Sequence, residues 1–284
     1  LSHGANREQE SPMIRVGISG WTYPPWRGVF YPPGLQHKKE LAYAAERMTS
    51  IEINGTFYAL QRPSSFLQWR DQVRQDFVFA VKGGRFITHM KKLRDPEVSL
   101  ANFFASGVLA LGPKLGPILW QLPPDLGYQP DRLAAFFAAL PRTHAEAAAL
   151  GGRHDDRLAE DRVFLSPERG EQRLQHALEV RHDSYKTPDF LQLLRDHDIA
   201  IVVADTAGIW PQIEEVTADF CYVRLHGADE LYVSGYSDKA LDQWAAKIRR
   251  WRAQVDEVYV YFDNDAKVHS PRDAMALRER VGDD

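Results

Sequence analysis

The chain reads as an α/β protein, a single-domain (β/α)8 barrel. Three observations carry that reading. Eight short apolar segments alternate with period two, amphipathic helical stretches separate them, and most segments close on polar or charged residues. Alternating strands and helices predict a parallel sheet with helices packed against it. A doubly wound sheet has the same alternation, but it does not account for the repeated polar endings. In a (β/α)8 barrel the C-terminal strand ends meet at one rim, where loops gather and chemistry is done.

The elements follow in order. IRVGISG sets Val16 and Ile18 against Arg15, Gly17 and Ser19. WTYPPWRGVFYPPG is too rich in Pro and Gly for a helix and reads as a long ordered loop. Residues 38–48 have helical spacing, and SIEIN opposes Ile51 and Ile53 to Glu52 and Asn54. Pro63 and Ser64 start a helix with a Phe66, Trp69, Val73 stripe. FVFAVKGGR carries Val78, Ala80 and Lys82 on one face; a basic loop and an apolar helix over 98–111 come next. ILWQLP ends on Gln121, and a helix over 131–140 follows. Residues 142–173 are charged and Gly-interrupted, and are expected to be an insertion between strands four and five. HALEVRHDSY then places Glu179 and Arg181 opposite Leu178 and Val180, before a helix over 188–197. AIVVAD ends on Asp205, FCYVRLHG on Arg224 and His226, and EVYVYFDND on Asp263. Helices over 238–252, capped by Ser237 or Asp238, and 272–281 complete the pattern.

Composition narrows the function. With 284 residues and 44% hydrophobic side chains the chain can bury a sizeable core. Its formal net charge of −4 gives no general attraction to polyanions, so nucleic acid would need a local basic patch. Cys221 is the single cysteine, which excludes an internal disulfide and fits a reducing cytoplasm, the expected compartment. No apolar run approaches the roughly 18 residues of a membrane span, so no membrane partner is expected. LSHGANREQESP lacks the apolar core of a signal peptide. Residues 1–12 are expected to be a disordered leader, with the domain over 13–284.

Several unusual stretches occur in a fixed order: GISGWTYPPWRGVFYPPG, EINGTFYALQRPSSFLQW, FVFAVKGGRFITH, LEVRHDSY, VRLHG and VYVYFDND. In these the chain resembles the DUF72 (YecE-like) family over most of residues 14–280. The resemblance implies a TIM-type barrel and carries no assigned activity; a nucleic-acid link follows only by analogy with endonuclease IV-like barrels. The chain departs from that pattern in the long 142–173 segment and in AKVHSP, which lacks the glycine expected after the last strand.

On the barrel reading, the inward register delivers Ser19, Glu52, Asn54, Lys82, Gln121, Glu179, Arg181, Asp205, Arg224, His226 and Asp263 to one rim. Four carboxylates there can act as acid and base or hold a metal. Alternatively, Lys82, Arg181 and Arg224 neutralise them in a structural network. Only His226 is a strand-end histidine and three cations would repel a divalent ion, so no metal is assigned. Glu179 and Asp205 are the acid/base candidates, with His226 as proton relay. Lys82, Arg181, Arg224 and Arg85 are candidate anion ligands, with Arg offering a planar fork. Glu52, Asn54, Gln121 and Asp263 would orient the substrate. Trp21 and the basic loop with His89 would meet a single strand. Gly83 and Gly84 either open backbone amides to an anion or form an ordinary turn. The favoured function is an enzyme using acid/base chemistry on an anionic, phosphate-bearing substrate, which includes nucleic acid. The alternatives are a non-catalytic binder of nucleic acid or an anionic metabolite, and a carbohydrate isomerase or hydrolase. No cofactor is indicated.

Overall fold

A computed structural model describes residues 13–282; the expected leader over 1–12 lies outside them. Eight parallel strands close in chain order: β1 (Met13–Ser19), β2 (Ser50–Ile53), β3 (Val78–Lys82), β4 (Leu115–Gln121), β5 (His176–Glu179), β6 (Ala200–Asp205), β7 (Phe220–Leu225) and β8 (Glu257–Phe262). β8 pairs back onto β1, so no strand edge is left open. The helices are α1 (Glu40–Ala45), α2 (Gly55–Tyr58), α3 (Pro63–Asp71), α4 (Glu97–Ala105), α5 (Pro130–Ala139), α6 (His144–Gly151), α7 (Pro188–Asp196), α8 (Asp238–Arg252) and α9 (His269–Val281). None of the described helices is long and apolar enough to cross a membrane.

Two hydrophobic cores follow from the strand period. The outer one joins Val16, Ile18, Ile51, Leu178, Val203, Val223 and Val260 to the helix stripes. On α8 the stripe is Leu241, Trp244, Ile248 and Trp251, and Ser237 Oγ caps it by accepting from Ala240 N. The inner core fills the barrel with Ala80, Leu119, Ala177, Ala200, Val202, Ala204, Phe220, Tyr222, Tyr259 and Tyr261. Small residues on β3, β5 and β6 leave room for the large rings of β7 and β8, which keeps the interior close-packed.

This packing corrects one register. In β6 the interior positions are Ala200, Val202 and Ala204, so Asp205 lies in line with Ile201 and Val203 on the outer face. There it accepts from Tyr236 Oη at 3.1 Å and from Ala207 N at 3.3 Å.

Two helix boundaries and one segment differ from expectation. The helix expected over 98–111 stops at Ala105; Gly107 (φ +114) turns the chain into a 3-10 segment, and Val98 is exposed. The final helix begins at His269. Val268 precedes it at φ +60, a strained conformation for a β-branched side chain, just where the sequence lacks the expected glycine. Residues 142–173 are anchored despite their charge. They contain α6, which packs on α4, and Asn102 Nδ2 donates to Asp155 Oδ1 at 2.9 Å.

The long first loop is a folded aromatic unit. Trp26 and Tyr31 are fully enclosed, and Trp26 Nε1 donates to the backbone oxygen of Asp265 at 3.3 Å, tying it to the loop after β8.

Gly17 marks the closest approach between strands. It pairs with Ser50 on β2, and a Cβ at Gly17 would collide with the Ser50 carbonyl oxygen. Gly17→Ala is therefore expected to lower stability by about 2–3 kcal/mol through overpacking, read as a shift in the urea midpoint with unchanged slope.

Candidate active site

The rim is built around Arg224. It is fully buried and bonds to six side chains on six strand ends or the residues just past them. Nε and Nη2 grip Glu52 at 3.1 and 2.8 Å; Nη1 reaches Glu179 Oε2 at 2.6 Å and Gln121 Oε1 at 3.3 Å; Nη2 reaches Asp263 Oδ2 at 2.9 Å. Ser19 Oγ and Tyr222 Oη complete the shell of Glu52 at 2.8 and 2.6 Å. A guanidinium has five N–H bonds, and here they are spent on the protein itself.

Glu179 is shared with Arg181, whose Nε donates to Oε1 at 2.8 Å. Burial opposes ionisation of Glu179, yet Arg181 and Arg224 together hold its carboxyl well below the usual range. Arg181 also donates to Tyr232 Oη at 3.1 Å and lies 3.9 Å over the Trp210 ring. His226 is enclosed between Asp263 Oδ2 at 3.1 Å and Glu179 Oε2 at 3.7 Å. These carboxylates converge on guanidinium groups. Among the described residues no cluster of His, Cys, Asp and Glu forms a metal-holding group.

Above this network opens a cleft of about 670 Å³. Lys82, Asn54, Gln121, Asp263, Arg85 and His89 line it, as expected from their strand-end and loop positions. Glu52, Glu179, Arg181, Arg224 and His226 form the layer beneath it or behind it and are at most 9% exposed. Arg224 and Arg181 are thus corrected from anion ligands to organisers of the carboxylates. Glu179 and His226 are enclosed in that network and do not line the cleft. Asp205 is corrected further, being on the outer face of β6, where burial raises its carboxyl above the usual range. Trp21 packs edge-on against Trp69 in a neighbouring groove, 5.3 Å between centroids. Gly83 is a packing residue: its N–H donates to Leu119 O at 2.8 Å, and a Cβ there would strike the Trp120 ring.

Four aromatic rings, Met90 and one carboxyl complete the lining: the rings are Tyr23, Phe57, Tyr58 and Tyr232, and the carboxyl is Asp265. Asp265 is the residue that strand-period reasoning passed over. It stands two positions after Asp263, in the loop that follows β8, where strand period no longer applies. Asp263 and Asp265 behave oppositely. Burial pushes Asp263 up, but Arg224, His226 and Lys82 outweigh that and hold it well below the usual carboxylate range. Burial and the Asp263 charge push Asp265 up to about 8. Asp265 Oδ1 is buried without a hydrogen-bond partner. The Tyr23 hydroxyl donates to Ser19 O at 2.6 Å, and its hydrogen bonding toward Asp265 works against the rise without reversing it. Lys82 lines the cleft with no ion-pair partner among the described residues. Burial, and then Arg224, bring its amine down to about 8, and Nζ sits 4.4 Å over the Phe57 ring.

The profile of the family described as "Protein of unknown function DUF72" matches residues 15–284. The chain belongs to the DUF72 family. It is similar to the UPF0759 protein YecE of Escherichia coli O157:H7, 27% identical over 270 residues that cover 93% of this chain and 89% of that protein. It is also similar to the UPF0759 protein YunF of Bacillus subtilis (strain 168), 22% identical over 283 residues and 89% of each chain. Among solved structures, a DUF72 family protein from Thermotoga maritima MSB8 superposes with a TM-score of 0.74 at 24% identity, covering 95% of this chain and 99% of that one. A second, from Enterococcus faecalis V583, gives 0.72 at 16% identity and 95% of both chains. These likenesses establish the DUF72 barrel and leave its chemistry to be read from the rim.

Arg224→Ala would leave Glu52, Glu179 and Asp263 facing one another without their shared cation. The expected cost is about 3–5 kcal/mol, as for breaking a buried ion pair, measured by urea unfolding. Arg224→Lys should recover only part of it, because an ammonium cannot reproduce the fork on Glu52.

Proposed function

We propose that this barrel is an enzyme that performs general acid–base chemistry on a small anionic substrate held in the rim cleft. One arrangement carries the reading: two carboxyl groups two residues apart line the same cleft, Asp263 held ionised against Arg224 and Asp265 pushed up by burial and the Asp263 charge. Environments that push paired titratable groups apart are how one site holds a proton donor and a charged partner at neutral pH. Asp265 is the proton donor, and Asp263, ionised, fixes its state and orients the substrate. An acid with a pKa near the working pH is well matched to general catalysis.

The substrate class follows from the lining. Lys82 and Arg85 are the cations open to the cleft; Arg85 is exposed and has no ion-pair partner among the described residues. Burial, with Arg181 and Lys82, lowers the His89 pKa, so His89 enters as a neutral hydrogen-bonding group. Tyr23, Phe57, Tyr58 and Tyr232 supply flat apolar walls. Cations with aromatic walls in about 670 Å³ suit a phosphate- or carboxylate-bearing metabolite of nucleotide size or smaller.

Calorimetric titration with inorganic phosphate and with a nucleoside monophosphate tests the binding side. Arg85→Ala is expected to weaken both about tenfold, on the order of one charge-assisted hydrogen bond. Unchanged affinity would remove the anion from this cleft, and tighter, steeply salt-dependent binding of a single-stranded oligonucleotide would replace the small substrate by a nucleic acid.

The Asp265 reading has its own pH signature. Its folded pKa of about 8 lies above the ordinary carboxyl value, so the folded state keeps a proton that the unfolded chain has lost between about pH 4 and 8. Stability from this group therefore falls as pH rises through that window. Asp265→Asn should flatten the fall and raise Tm at pH 8 by on the order of 5 °C, followed by calorimetry across the range. Carbon-detected NMR should show one aspartate titrating near 8 and lost in that variant.

A further inference from the structure

We infer that Lys82 is a covalent catalyst, forming a Schiff base with a carbonyl group of the substrate. The inference deepens the acid–base reading above and rests on it. Its observation is a lysine left out of an otherwise complete charge network. Lys82 ends β3 inside the rim and is 9% exposed, but among the described residues Nζ has neither a hydrogen-bond nor an ion-pair partner. The carboxylates that could have held it are committed elsewhere: Glu52 and Asp263 to Arg224, and Glu179 to Arg224 and Arg181. Nζ lies 4.4 Å from the centroid of the Phe57 ring.

An ammonium used only as a counter-ion gains from a carboxylate at its side. A lysine used as a nucleophile must shed its proton, and a buried amine beside another cation does so readily. Burial and Arg224 bring Lys82 to about 8, so a sizeable fraction is free amine in mildly alkaline solution.

The cleft also holds the acid that imine formation requires. The Nζ lone pair forms a C–N bond to the carbonyl carbon, and the C=O π pair moves to oxygen, which takes the Asp265 proton. The nitrogen, now carrying an extra proton, returns one to the Asp265 carboxylate. The same carboxyl then protonates the hydroxyl, the C–O bond breaks and water leaves. The nitrogen lone pair forms the C=N bond of a protonated imine. Overall, free amine, carbonyl and one proton give iminium and one water, and no oxidant or reductant is needed. The substrate class becomes an aldehyde or ketone bearing an anionic group, with that group toward Arg85.

The test traps the imine in the full-length protein. Formaldehyde, the smallest carbonyl, is added with cyanoborohydride at pH 7.5, and methylation of each lysine is followed by peptide mass spectrometry. Lys82 is expected to react on the order of tenfold faster than the exposed Lys38 and Lys39, in spite of its burial. A rate equal to theirs or slower overturns the inference. Dihydroxyacetone phosphate and dihydroxyacetone are then compared under the same conditions. Preferential labelling of Lys82 by the phosphorylated ketone, lost in Arg85→Ala, supports both readings. Fast formaldehyde labelling with no preference for the phosphate keeps the Schiff base and overturns the anionic substrate. Phosphate binding that depends on Arg85, with Lys82 slow toward every carbonyl, does the reverse.

Discussion

The rim depends on the grip of one guanidinium. Arg224 rises from β7 into the barrel mouth and is the shared partner of Glu52 from β2, Gln121 from β4, Glu179 from β5 and Asp263 after β8. Bringing three carboxylates this close in a low-dielectric interior is prohibitive without a cation among them. With Arg224 in place, the same groups tie opposite sides of the barrel together through its centre. The network therefore acts both as a plug above the inner core and as the floor of the cleft. Such a pair adds little net stability over a well-packed apolar core, while removing one member is costly. The fold gains from it a fixed electrostatic floor.

That floor determines which groups above it remain reactive. Burial, and then the Asp263 charge that Arg224 fixes beside it, keep Asp265 from ionising readily, and it keeps its proton. Once Arg224 and Arg181 have taken the carboxylates, Lys82 is left with an aromatic face and a neighbouring cation. Both consequences run in the direction of chemistry. A held proton and an amine brought down to about 8 line one cleft. Their positions are secured by residues with no other task there, such as Trp26, which ties the first loop to the Asp265 backbone.

Much of this was legible in the residues, because strand period is a strong constraint. Glu52, Lys82, Gln121, Glu179, Arg224 and Asp263 each stand at an even spacing from apolar or small neighbours, and all converge as that spacing requires. Asp205 did not, for an identifiable reason. AIVVAD is apolar on both faces, so period alone offers two registers, and the choice belongs to the tyrosines of β7 and β8, which need alanines opposite them. The division of labour was also hidden. Arg181, Arg224 and Lys82 look equivalent as strand-end cations, and only the packed geometry shows that two are satisfied while one is left over. Asp265, Tyr232 and Phe57 lie on loops, where alternation no longer fixes a side chain's direction, and their place in the cleft is set by loop packing.

The two unsatisfied groups also explain why the surrounding barrel is over-determined. A protonated acid and an unpaired amine lower the stability of the folded state relative to solvated equivalents, since each gives up free energy that ionisation in water would supply. The loop after β8 adds the left-handed Val268. Strain of this kind persists only where neighbouring structure holds it. Here the holding structure is specific: the closed strand ladder, the Ala and Tyr complement of the inner core, and the aromatic first loop that covers the Asp265 side of the rim. For a purely structural ion network Asp265 beside Asp263 is a cost, since burial and the Asp263 charge both oppose its ionisation. The conflict is the feature that the proposed proton transfer would use.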